Sequence, residues 1–197
     1  MIPGNDEFDK VLVRRMSGGD ELAFEEFVNR YQDKILNLIY RYTHSRSDAE
    51  ELVQDVFLKV WHTASSFRAE SKVFTWIYRI AVNLSINHLK KKKNVVESLD
   101  KPMVLYTGEV RKQVSAPDNL QPDYILEQKE AKLLIENVIQ KLPPNQKIAF
   151  ILSKYEDHSY NEIAEIMKIS LPTVKSLLFR AKQNLEKALL PFKQIIS

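Results

Sequence analysis

Between Ser71 and Lys93 the chain reads SKVFTWIYRIAVNLSINHLKKKK, with rings at its start, two asparagines in its middle and four consecutive lysines at its end. Wound as one helix at about 100° per residue, the segment gathers Val73, Phe74, Ile77, Ile80, Ala81 and Leu84 on one side as a core stripe. Lys72, Thr75, Trp76, Arg79, Asn83 and Lys90 share the opposing arc. Rings stack on unpaired bases, amides read base edges, and Arg and Lys hold phosphates, so this arc is equipped for a strand whose bases have left the duplex. A buried Trp on a two-sided helix with a solvated basic tail would produce the same letters.

A second group lies near the C-terminus, in SYNEIAEIMKISLPTVKSLLFRAKQNL. Ser159 and Glu162 have the spacing of a capping box, Ile163, Ala164 and Ile166 face inward, and Pro172 takes a first-turn position where a missing N–H costs nothing. These are the proportions of a helix-turn-helix. In its second helix Val174, Leu178, Ala181, Leu185 and Leu189 share one face, while Lys175, Ser176, Phe179 and Gln183, flanked by Thr173, Arg180 and Lys182, look the other way. Phe179 can meet thymine methyls, and Ser176, Lys175 and Arg180 can bond to base edges or phosphates. The bland alternative is an aromatic packed on a neighbouring helix beside solvated lysines.

The elements that must position these residues are helices. Four glycines and eight prolines in 197 residues leave few tight turns, and 44% hydrophobic residues suffice for one core or two small ones. Helical periodicity starts in EFDKVLVRRM, breaks at Gly18-Gly19 and resumes through ELAFEEFVNRYQDKILNLIYRYT. Ser47 and Glu50 then suggest a capping box for DAEELVQDVFLKVWHTA, whose stripe is Leu52, Val56, Phe57 and Val60, with Glu51, Gln54, Asp55 and Lys59 pointing away. Residues 1–94 thus form a first helical domain. Periodicity vanishes over residues 95–122, a linker with three prolines and a glycine that would let its flanking domains sit far apart, and returns over residues 123–197 as four helices of a second domain.

Charge is segregated along this layout. Residues 1–70 carry 9 basic and 13 acidic groups, 71–95 carry 6 basic and none acidic, 96–142 carry 6 and 8, and 143–197 carry 8 and 5. Two basic blocks alternating with two acidic ones imply polyanion contact at two places and another partner for the acidic front. The chain has no cysteine, which excludes disulfides, thiolate metal sites and cysteine nucleophiles. His44, His62, His88 and His158 are scattered without ligand spacing, and no glycine-rich phosphate loop or nucleophile motif occurs, so neither catalysis nor a cofactor is expected. The N-terminus lacks the regions of a signal peptide and no apolar run approaches membrane-spanning length; the expectation is a soluble cytoplasmic protein without direct membrane insertion.

With both groups in view, the chain resembles the extracytoplasmic-function group of bacterial RNA polymerase sigma factors, of the sigma-70 family. DAEELVQDVFLKVW resembles conserved region 2.2, SFRAESKVFTWIYRIAVNLSINHLKKKK resembles regions 2.3 and 2.4, and SYNEIAEIMKISLPTVKSLLFRAKQNL resembles region 4.2. The resemblance implies an all-α protein of two small domains that binds core polymerase and directs it to promoters. Glu51, Gln54, Asp55 and Lys59 would dock on the β′ clamp, and the second domain would contact the β flap. Phe67, Arg68 and Ser71 would shape a pocket for a flipped −10 base, with Asn83 reading it, Trp76 and Arg79 supporting it, and Lys90 and Lys91, with Lys92 and Lys93 beyond, holding phosphates. Thr173, Lys175, Ser176, Phe179 and Arg180 would face the −35 element, and an anti-sigma protein is an implied partner. Where the family often has glycine, in Phe-Arg-Gly-Asp/Glu-Ser, this chain has Ala69, which a negative backbone angle would tolerate. The rival is a helix-turn-helix regulator that binds duplex DNA as a dimer without polymerase, which would leave the helix at 71–93 unexplained.

Overall fold

A computed structural model describes residues 6–98 and 122–192, with side chains for 6–92 and 131–192. Among these residues there is no strand, and no helix is long and apolar enough to cross a membrane. Eight α-helices follow in order: α1 (Asp6–Ser17), α2 (Glu21–Thr43), α3 (Arg46–Thr63), α4 (Val73–Ser98), α5 (Pro122–Gln140), α6 (Pro144–Lys154), α7 (Tyr160–Met167) and α8 (Leu171–Leu189). Of the expected linker, residues 99–121 lie outside the described residues.

Local chemistry sets the boundaries. Gly19 adopts a left-handed φ of 85° between α1 and α2, and the Asp20 carboxylate then caps α2 by accepting from the Ala23 N–H at 3.1 Å. The capping box expected at Ser47 and Glu50 does not open α3. Ser45 does so instead, accepting from the Asp48 N–H at 3.2 Å, while Glu50 pairs with Arg46 at 2.6 Å. The Ser159–Glu162 box forms as expected, with the Glu162 carboxylate accepting from the Ser159 N–H at 3.0 Å. Ser170 caps α8, which places Pro172 within its first turn.

The first four helices bury Leu12, Phe27, Ile35, Leu38, Ile39, Leu52, Val56, Val60, Val73 and Ile77 together. Asp9 is buried among them, held by Arg30 Nε at 2.8 Å and the Tyr31 hydroxyl at 2.6 Å, so each of its carboxyl oxygens has a partner. Burial and that carboxylate push the Tyr31 hydroxyl well above its ordinary range.

The second half does not stand apart. Ile148, Ala149, Ile151, Leu152, Ile163, Ile166 and Val174 belong to the same continuous core as the first four helices, and only Val138, Ile139, Leu142, Ala181 and Leu185 form a separate cluster between α5 and α8. Helix α7 lies on α4 and α6 on α2. Two carbonyls at one helix end are capped across this junction. Gln140 Nε2 donates to the Arg41 carbonyl at 2.8 Å and Lys147 Nζ to the Tyr42 carbonyl at 3.1 Å, at the C-terminal end of α2. Such carbonyls have no partner within their own helix, and a cation there also meets the negative end of the helix dipole.

Candidate nucleic-acid interface

The α4 helix begins at Val73, two residues later than its sequence pattern suggests, because Asp6 of α1 accepts the Val73 N–H at 2.9 Å and fixes the first turn from 67 residues away. It continues to Ser98. The residues before it form a loop in which Ala69 has φ 55°, so the condition under which alanine is tolerated there is not met. That left-handed angle is the conformation glycine adopts without penalty, and for alanine it costs about 1–2 kcal/mol.

The loop and the start of α4 make a shallow pocket lined by Phe67, Arg68, Ser71, Trp76 and Arg79, joined by Ser66, Glu70 and, from α7, Glu165. Phe67 and Trp76 pair at 5.0 Å between ring centroids, tilted by 40°. Each ring is half-buried, leaving an aromatic ledge beside a guanidinium. Such a ledge can stack one planar ring, and the donors around it can hold acceptor atoms on its edge.

Five of the expected −10 residues therefore converge, and the others do not line this pocket. Asn83 is exposed one turn beyond Arg79, and Lys90 and Lys91 are exposed further along α4. Lys92 is engaged rather than available: its ammonium lies 2.8 Å from Asp48 of α3, and with His88 at 3.4 Å it holds that carboxyl below the usual carboxylate range despite burial. The side chain of Lys93 lies outside the described residues. Thr75, placed by its helical angle on the polar arc, is fully buried with its hydroxyl unpartnered, because the neighbouring helices wrap further round α4 than an even division of faces allows.

On α8, Lys175, Ser176, Phe179 and Arg180 are exposed, Phe179 by 63%, on the side opposite the buried Val174, Ala181 and Leu185. Thr173 is also exposed, but its hydroxyl lies 2.8 Å from that of Ser170 at the helix start. On α3, Glu51, Gln54, Asp55 and Lys59 are all exposed. Gln54 also edges a shallow depression with Gln32, Asp33 and Leu36 of α2, which extends the acidic face onto a second helix.

Sequence reasoning missed the residues that join the halves. Tyr78 is buried, donates to Glu156 at 3.1 Å and meets the His158 ring edge-on at 4.9 Å, while Phe74 stacks on His158 at 5.5 Å and 14°. Burial lifts Glu156 above and holds His158 below their ordinary values. Arg41 lies over Tyr155 at 4.3 Å. One signal was available: Lys147 adjoins the apolar run IAFIL, a register that buries its ammonium. Among the described residues no cluster of potential ligands could hold a metal ion.

Comparison with known proteins bears on these surfaces. The family model described as Sigma-70 region 2 matches residues 27–95, and that described as Sigma-70, region 4 matches residues 132–185. The chain is 34% identical over 94% of its length to the RNA polymerase sigma-H factor of Pseudomonas aeruginosa, of which it covers 95%. It is 35% identical over 93% of its length to the ECF RNA polymerase sigma-E factor of Escherichia coli, again covering 95%. Its fold resembles that of CnrH, solved in complex with the cytosolic domain of CnrY, at a TM-score of 0.64 and 19% identity over 94% of this chain and 98% of that one. The sigma factor RpoE of Bartonella quintana, solved with the anti-sigma factor NepR, gives a TM-score of 0.64 at 23% identity over 84% of this chain and 96% of that one.

Proposed function

The chain belongs to the extracytoplasmic-function group of the sigma-70 family and is an alternative sigma factor that directs RNA polymerase to promoters, and on that premise we propose how its surfaces divide the promoter between them. The pocket of Phe67, Arg68, Ser71, Trp76 and Arg79 takes one unpaired base of the −10 element, Asn83 reads an adjacent edge, and Lys90 and Lys91 hold the strand. The outer face of α8 enters the −35 major groove with Lys175, Ser176, Phe179 and Arg180, while Thr173 contacts the backbone nearby. Glu51, Gln54, Asp55 and Lys59 dock on the polymerase β′ clamp, and the second domain meets the β flap. The mechanism is recruitment and melting in the cytoplasm, not bond chemistry.

Convergence of five residues suited to a base on one pocket is the observation that supports this reading most. Unstacking a base costs a few kcal/mol, which one aromatic ledge and a set of edge bonds can offset. Because the Bartonella quintana sigma factor is solved with an anti-sigma factor, a protein of that kind is the proposed inhibitory partner here.

Transcription in vitro with core polymerase across genomic fragments tests the reading and returns the promoter motif. Promoter fragments should shift in gels strongly only with core enzyme; strong binding by the protein alone would favour a regulator of duplex DNA. Asn83→Ala should impair opening of a duplex template more than transcription from a premelted one, and equal activity on both would remove Asn83 from base reading.

A further inference from the structure

The lysine-bearing end of α4 runs past the core that holds the rest of the helix. Among the described side chains Ser85 is the last of α4 to be buried, and Ile86 and Leu89 beyond it are only partly covered. Asp48 reaches this end from the first turn of α3. One of its oxygens, Oδ2, lies 2.8 Å from the Lys92 ammonium and 3.4 Å from His88 Nε2, a ring nitrogen that is buried without a hydrogen-bond partner. The residue is fixed at its own end too, since the Asp48 N–H is donated to Ser45 Oγ at 3.2 Å and the first turn of a helix favours negative charge. Only 17% of its side chain is exposed, which sets it back from the outward face of Glu51 and Asp55.

His88 and Lys92 each stand two positions from Lys90, about 160° round the helix from it, so they occupy the side of α4 turned away from that lysine. Lys90 in turn follows Asn83 by seven residues and Arg79 by eleven, close to whole turns, and so shares their arc. We propose that Asp48 is a positioning residue for the unpaired strand: gripping α4 from behind through Lys92 and His88, it keeps the last turns in line so that Lys90 prolongs the arc of Arg79 and Asn83, and Lys92 serves the protein rather than a phosphate. The inference rests on the −10 reading above and divides the lysine run by task. Without the carboxylate, four adjacent ammonium groups repel one another on a helix end that little else holds. Lys90 is then drawn out of line, and affinity for the strand falls with the fraction of molecules that keep the arc intact.

Holoenzyme assembled from core polymerase and the full chain is titrated across a salt series with a fluorescein-labelled promoter fragment recovered by transcription and premelted by mismatches over its −10 element. Lys90→Met should lower the slope of log affinity against log salt by about 0.7, the loss of one single-strand phosphate contact, while Lys92→Met should leave it unchanged. Lys92 is 58% exposed, so its replacement spares the core. Asp48→Asn, which keeps the shape and removes the charge, should weaken binding by about fivefold, and Asp48→Glu should restore most of it. Asp48→Asn combined with Lys92→Met should bind no worse than the weaker single variant, because both break one link. Loss of a negative charge beside a polyanion predicts the opposite for Asp48→Asn, a gain with a steeper slope, and that gain would overturn the proposal. A shallower slope for Lys92→Met would overturn it as well, by making Lys92 a phosphate ligand, and so would a matching loss of core binding by Asp48→Asn, by assigning Asp48 to docking. These results leave the −10 reading intact; an unchanged slope for Lys90→Met would overturn both the proposal and the strand role of Lys90.

Discussion

The outer face of α8 and the polar side of α4 are both built from rings and cations, yet one stands open and the other is covered. Phe179 is 63% exposed beside Lys175 and Arg180, whereas Phe67 and Trp76 lean on each other and Arg79 is engaged by α7. On the proposed assignment the contrast follows from the ligands. A groove reader meets a duplex whose edges are already presented, so one exposed ring and flexible cations suffice. A strand reader must replace the stacking a base loses, which takes a broader aromatic ledge, and such a ledge is expensive to leave in water.

The sharpest way to break the comparison is to remove the ledge. Trp76→Ala should lower promoter opening by about 5- to 150-fold, the equivalent of about 1–3 kcal/mol of lost stacking, with an unchanged upstream footprint. A permanganate footprint of the melted region reads this, and a parallel loss upstream would mean the ring only supports the fold. Arg180→Ala or Lys175→Ala should act oppositely, weakening −35-dependent binding severalfold and lowering the salt slope by about one while leaving opening of a premelted template intact.

Ala69→Gly should act on the loop that shapes the pocket. Release from the left-handed strain is partly offset by glycine's greater freedom when unfolded, so a net gain of up to about 1 kcal/mol in urea melts is expected. A net loss would show that the methyl group makes contacts worth more than the strain.

The smallest effect is on pH. His158 faces Phe74, Tyr78, Glu162 and Asp157, with Lys72 close to Glu162, and burial holds its imidazole below the ordinary value against the pull of the two carboxylates. The closed chain therefore binds fewer protons there than the open one, and closure weakens as pH falls below about 6.5. Glu156, raised by burial, works in reverse, since closure favours its protonated form above pH 4.5. Energy transfer between dyes on the two domains should fall modestly as pH drops from about 7 to about 5.5. His158→Asn should flatten that response and Glu156→Gln should steepen it; an unaltered response in both would remove the junction from pH sensing.

Much of this was legible in the sequence, and the physical reasons are specific. The buried residues Leu52, Val56, Phe57 and Val60 follow helical period, and the Ser159 box and Pro172 follow local hydrogen-bond geometry, which a short stretch of sequence determines. Convergence of Phe67 and Trp76 needed only a loop and one helical turn. What escaped notice depends on distant partners. Asp6 trims α4 from across the fold, Asp48 engages Lys92, and Ser45 takes the cap that Ser47 offers equally well on paper. The closed junction escaped for the same reason: a lysine at 147, a tyrosine at 78 and a histidine at 158 carry no mutual spacing along the chain.

The cover over α4 comes from later in the chain than the helix it covers. At about 5–20 residues per second, the 69 residues from 99 to 167 take the ribosome roughly three to fourteen seconds to add. During that interval a nascent first domain can fold with its aromatic ledge and the carbonyls of Arg41 and Tyr42 bare, before Lys147, Gln140 and α7 exist to meet them. Birth order thus gives every copy an uncovered moment that the finished chain loses.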